Sequence, residues 1–200
     1  MRVPLYVFEA RYRELVRYCL EQETPQFLIA LGKSAETLHD SDLPFYDTAC
    51  LVKILELAEN PDGTYYLQAY AQERCKLSIT KKEMIQDQDG VARPLFFSEL
   101  EPFPLERNDP NLERVVAWDT VTVFRDYVKT FFTKPVAQTA EKSLPEEIDL
   151  QASFICANIR IPAEERQRLL EAVSLTKRLE LAQMMMQERL AAHVRPVKFA

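Results

Sequence analysis

Glycine is scarce, at three residues in a chain of 200. That limits sharp left-handed turns and nearly excludes the glycine-rich loops that cradle phosphates. The segment Gly32-Lys33-Ser34 follows an apolar stretch as a phosphate loop would, but the second glycine that motif needs, five positions upstream, is Phe27. No cofactor is expected. Cysteine is limited to Cys19, Cys50, Cys75 and Cys156, far apart and without a CxxC pair, which points to buried free thiols. The two histidines, His39 and His193, belong to no ligand-spaced cluster, so no metal site is expected and each reads as solvated. No apolar run approaches the roughly 20 residues that cross a bilayer, and the start lacks a basic stretch followed by an apolar one. The expected address is the cytoplasm, with no membrane partner. A net charge of −6 opposes a phosphate backbone, so nucleic acid is not an expected partner.

Hydrophobic residues make up 47% of the chain, enough for a buried core. From Glu9 to Gln22, Tyr12, Leu15, Val16 and Cys19 recur at helical spacing against a face of Arg11, Arg13, Glu14 and Arg17. After Thr24-Pro25, Phe27 to Leu31 reads as a short buried strand, followed by a polar loop from Gly32 to Ser41. Ala49 to Leu57 and Thr64 to Tyr70 read as strands joined at Asn60-Pro61-Asp62-Gly63, a hairpin. Cys75 to Thr80 and Val91 to Leu100 are expected as further strands, with a polar loop around Gln86 to Gly90. Glu101-Pro102-Phe103-Pro104 ends this β-rich half. Beyond it, Asp109-Pro110 opens a helix through Val115, Trp118, Val121, Phe124 and Val128. Thr133 to Lys142 reads as a polar break, and Ser143-Leu144-Pro145-Glu146 as a capping box. Two more helices follow Pro162 and Ser174, the last with Leu175, Leu179, Ala182, Met186 and Leu190 on one side.

Four segments, in order, resemble the N-terminal substrate-binding family of Lon proteases. They are Pro4-Leu5-Tyr6-Val7-Phe8-Glu9-Ala10-Arg11-Tyr12, similar to a "PL-x-x-FE-x-RY" start, then Ala49 to Leu77 with the turn Pro61-Asp62-Gly63 and the step Glu73-Arg74, then Phe124-Arg125-Asp126-Tyr127-Val128, and Arg168-Leu169-Leu170-Glu171 with Thr176-Lys177-Arg178-Leu179. The resemblance implies an α+β fold, with a β-rich, PUA-like subdomain over residues 1–104 (a pseudo-barrel with one helix) followed by a C-terminal helical bundle over residues 105–200. It also implies a stand-alone, non-catalytic module without ATPase or peptidase domains. The function implied is recognition of protein or peptide substrates, the partners being unfolded or flexible polypeptides and a separate protease or chaperone. The family pattern has a further strand before the Pro-Leu segment, and without it a neighbouring strand is expected to carry unpaired backbone groups, a liability or a docking edge.

Catalytic residues are not expected. Lys33 and Ser34, adjacent in sequence, do not make the serine–lysine pair of a Lon-type peptidase, because nucleophile and base must converge in a site that also stabilises the oxyanion. Glu146-Glu147 and Glu164-Glu165 stand at helix starts, where they favour the helix dipole. Phe8 and Tyr12 read as anchors of the first helix, with Glu9 and Arg11 as ordinary ion-pairing residues. Candidate polypeptide contacts are Phe45, Tyr46, Tyr65 and Phe103, taken as exposed on loops and hairpins, and Met184, Met185 and Met186, since one face of a helix cannot bury three successive residues. A PUA-like RNA-binding module is the alternative, conditional on Arg13, Arg17 and Arg74, or the Arg114–Arg125 helix, gathering into a basic patch.

Overall fold

The computed structural model describes residues 2–33, 44–87 and 90–194, and the chain separates into two compact units, residues 1–104 and 105–200. Ser34 and His39, together with most of the polar loop expected after Gly32, lie outside the described residues. The fold is α+β, with five strands and six helices among the described residues.

The first unit is one antiparallel sheet with a helix. Strand β1 (Arg2–Val7) precedes helix α1 (Ala10–Leu20), and β2 (Gln26–Ile29), β3 (Thr48–Glu59), β4 (Tyr65–Gln86) and β5 (Ala92–Pro102) follow. The order is β1-β4-β3-β2, with β5 paired to the far half of β4. Two expectations change here. Arg2–Val7, left unassigned from sequence, is a strand with alternating exposure, and the two strands expected between Thr64 and Thr80 are one continuous β4. The β3–β4 hairpin turns at Asn60–Gly63, where Gly63 takes a φ of +74° and Asp62 accepts from the Thr64 amide at 3.0 Å.

One sheet face packs on α1 through Val16 and Cys19, against Val52, Ile54, Tyr65, Leu67 and Ala69. The opposite face buries Ala49, Cys75 and Leu77 with Leu28, Ala30 and Phe45. Residues of β3 reach both faces by ordinary alternation, and the unpaired Leu55 shifts the α1-facing set from Val52 and Ile54 to Leu57. Of the apolar run from Phe27 to Leu31, Phe27 packs on the α1-facing cluster and Leu28 and Ala30 on the opposite one, while Ile29 is 39% exposed.

The second unit is helical. Helices α2 (Pro110–Phe131), α3 (Lys134–Lys142), α4 (Ile148–Asn158), α5 (Ala163–Leu170) and α6 (Leu175–Val194) enclose a core of Val121, Phe124, Tyr127, Ile155, Leu169 and Met186. Asp109 caps α2 as the sequence indicates, accepting from the amides of Asn111 and Leu112 at 2.9 and 3.1 Å. The expected stripe on α2 holds only in part: Val121, Phe124 and Val128 are buried, but Val115 is exposed and Trp118 is 71% exposed. The expected polar break at Thr133 to Lys142 is instead α3, started by a proline in its first turn and held by buried Ala137. The capping box does not form, because α4 starts at Ile148 after Glu147, and Gln151 turns its amide back to the carbonyls of Pro145 and Glu146. On α6, Leu175, Leu179, Ala182 and Met186 are all buried, the side the sequence marks as apolar.

Candidate functional site

The contact residues named from sequence do not form a single surface. Tyr65 is 2% exposed, because its place in β4 turns it onto the α1 face with Leu67 and Ala69. Met185 and Met186 are fully buried between helices, leaving only Met184, at 38%, near solvent. Adjacent methionines point about 100° apart, and here two of the three directions find other helices. For Tyr65, Met185 and Met186 the surface reading is therefore corrected. Phe45 is half-buried, edge-on to Phe96 at 5.2 Å, and half-buried Tyr46 has the Lys33 ammonium 5.9 Å from its ring. Phe103 is also half-buried, between the Arg74 guanidinium at 4.6 Å and the Lys76 ammonium at 5.1 Å.

A different group of aromatics faces solvent in the first unit. Period-two alternation along β1 turns Val3, Leu5 and Val7 toward α1 and places Tyr6 on the outer face. Tyr6 lies opposite Tyr66 of β4, and the two rings stack with centroids 4.6 Å apart. Phe8 extends the stack, 5.8 Å from Tyr6, and is 60% exposed. Tyr12 is exposed too, with the Arg11 guanidinium 4.5 Å from its ring, while Arg11 pairs with Glu9 at 3.0 Å. The ion pair stands as the sequence suggests, but Phe8 and Tyr12 do not anchor α1. Leu15, Val16 and Cys19 do, at the next turns of the same stripe. The signal for this surface in the sequence is the alternation from Arg2 to Val7, carried by only six residues and interrupted by Pro4.

Beside these rings lies a cavity of about 320 Å³ between β1, β2 and α1. It is lined by Leu5 to Phe8, by Phe27 to Ala30, and by Tyr12, Leu15 and Val16, with Glu9 as its one charged residue. Its chemistry is that of apolar contact. Among the described residues, no three His, Cys, Asp or Glu side chains gather to hold a metal ion. His193 is exposed against Phe131, and Glu164 and Glu165 lie in the first turn of α5, where the latter pairs with Arg189 at 3.0 Å. Burial pushes the Cys19 thiol up to about 11 and also raises those of Cys75 and Cys156, which suits buried, unreactive sulfur. None of the four cysteines forms a disulfide. No helix among the described residues is long and apolar enough to cross a membrane.

Three of the arginines named for an RNA surface, those of the first unit, are engaged locally. Arg17 pairs with Glu14, Arg13 donates to the Asp62 carbonyl at 3.3 Å, and Arg74 covers Phe103.

The family model of the ATP-dependent protease La (LON) substrate-binding domain matches residues 1–188. The chain belongs to that family. Two Lon proteases resemble this LON substrate-binding domain member in sequence: one from Xanthomonas oryzae pv. oryzae, 25% identical over 181 residues, and one from Vibrio parahaemolyticus, 24% identical over 183 residues. Each alignment covers 90% of this chain but only 20% and 22% of the respective relatives, so the chain spans about a fifth of their length. Among solved structures, the N-terminal domain of a Mycobacterium avium complex Lon protease aligns with a TM-score of 0.67 at 15% identity, covering 94% of this chain and 90% of that one. A Lon N-terminal domain protein from Xanthomonas campestris aligns with a TM-score of 0.52 at 17% identity, covering 98% and 90%. These structures share the fold. Membership in the LON substrate-binding family supports a substrate-recognition role for the chain.

Proposed function

We propose that this LON substrate-binding domain binds unfolded or flexible polypeptide segments in the cytoplasm, without turnover chemistry, and passes them to a separate protease or chaperone. The observation that carries this reading is the exposed aromatic stack of Tyr6, Phe8 and Tyr66, of which Tyr6 and Phe8 also line an apolar cavity. Monomeric soluble proteins rarely leave contiguous apolar surface uncovered unless it binds something. Rigid aromatics give large contact area at low entropic cost, and they accept varied sequences. The contact surface is thus assigned to Tyr6, Phe8, Tyr12 and Tyr66 of the first unit, and the half-buried Phe45, Tyr46 and Phe103, like Met184 of the second unit, stand as separate, lesser candidates. The reading carries with it the PUA-like architecture that the family implies for residues 1–104.

Fluorescence anisotropy of the whole chain with a labelled, reduced and carboxymethylated unfolded protein tests the proposal. Saturable binding at micromolar concentrations is expected, weakened roughly fivefold by Phe8→Ser, since a central aromatic contact contributes on the order of 1 kcal/mol or more. The exposed position of Phe8 keeps the effect of that change on stability within about 0.5 kcal/mol. No binding at high micromolar concentrations would overturn the reading. Tight binding of a short single-stranded RNA that weakens steeply with salt would replace it with the RNA alternative.

A further inference from the structure

The cavity between β1 and β2 has an unusual lining for a sheet protein. Successive side chains of a strand point to opposite faces, so a pocket on one face is lined by every second residue. Here four consecutive residues of β1 and its end, Leu5 to Phe8, line the cavity, and so do four consecutive residues at β2, Phe27 to Ala30. A cavity touched by both faces of a strand lies along the strand's hydrogen-bonding edge. The topology agrees, since β1 and β2 are the two ends of the path β1-β4-β3-β2. Each is paired on one side only among the described residues, β1 with β4 and β2 with β3. Among the described residues, two open edges therefore border one apolar cavity, with Tyr12, Leu15 and Val16 of α1 also lining it. Pro4, the one residue of β1 without a backbone N–H, stands outside the lining, so every β1 residue at the cavity keeps its donor.

We infer that the occupant of this cavity is a polypeptide segment in extended conformation, added as a strand along the β1 and β2 edges. The open edges specify main-chain hydrogen bonding, and the lining specifies apolar residues at alternate positions of the added segment. Main-chain pairing supplies affinity without regard to sequence, while Leu15, Val16 and Phe27 select apolar over charged side chains on one face of the segment. A helix or a compact ligand would leave the edge groups unpaired, a cost that an added strand removes. The inference rests on the polypeptide-recognition reading and gives it a mode.

Backbone methylation separates the mode from the reading. The intact chain is titrated with a short fluorescein-labelled peptide in which valine alternates with lysine and threonine, and with two isomers N-methylated at odd or at even residues. Each isomer lacks the donors of one strand edge while keeping every side chain. An added strand predicts that at least one isomer loses about tenfold or more in affinity, since several main-chain bonds at about 0.5–1.5 kcal/mol each are removed. Hydrogen exchange on the unmodified complex is expected to show new protection at Leu5 to Phe8 and at Phe27 to Ala30. Equal binding by all three peptides, or protection confined to other segments, overturns strand addition and leaves polypeptide recognition standing. If no peptide and no unfolded protein binds, both fall together.

Discussion

Met184, Met185 and Met186 are one residue type in one helix, yet they have two environments, Met185 and Met186 sharing the buried core that Met184 does not join. Met186 is wholly enclosed with Phe124, Ile155 and Leu169, whereas Met184 keeps 38% of its surface in solvent. Truncating a buried methionine removes transfer energy and leaves a cavity, so Met186→Ala is expected to destabilise the helical unit by about 2–5 kcal/mol. Met184→Ala should cost less than about 1 kcal/mol. Urea titrations followed by helical circular dichroism measure both. Similar midpoints for the two variants would contradict the packing described for α6. Trp118 carries a large apolar ring that reads as core, but it projects to solvent because the buried stripe of α2 runs through Glu113, Ala117, Val121, Phe124 and Val128, and Trp118 lies off it.

Among the elements, the helical unit depends on a polar joint as well as on apolar packing. Arg107 donates to Glu113 of α2 from Nε at 3.1 Å and Nη2 at 2.6 Å, and to Asp149 of α4 from Nη1 at 2.6 Å. Glu113 is buried and accepts further from the Asn108 amide at 2.8 Å. The Arg107 hydrogen bonds, and then that amide, hold the Glu113 carboxyl below the usual glutamate range. A carboxylate whose folded pKa is depressed stabilises the fold fully above its unfolded value, about 4.3, and loses that contribution as the pH falls through the lowered folded value. The expected result is an acid limb in the urea midpoint of the helical signal below about pH 4.3, less steep in Glu113→Gln. An unchanged slope in the variant would remove Glu113 from the account.

At the scale of the whole molecule, the apolar clusters divide with the chain. Those around Val52 and Cys75 draw only on residues before position 105, and those around Phe124 and Leu175 only on residues from 105 onward. A unit that encloses its own core is expected to fold by itself. Residues 105–200 expressed alone should therefore show cooperative thermal loss of helical dichroism. A fragment that is unstructured at low temperature would mean that the second unit depends on the first.

Sequence by itself determined the features that rest on local chemistry. The hairpin at Asn60 to Gly63 follows from a glycine in the left-handed region, the start of α2 from Asp109 and Pro110, and the buried side of α6 from its spacing of leucines. The family could also be read from four short segments in order, and with it the role in substrate recognition. Tertiary structure alone decided which aromatic residues meet water. Tyr65 and Tyr66 are neighbours of identical type, and only the pairing of β4 with β1 and β3 sends one into the core and the other to the surface. The same pairing leaves β1 and β2 as the two ends of the path β1-β4-β3-β2, beside one cavity. An open edge is a property of strand order, and strand order arises from contacts distant in sequence.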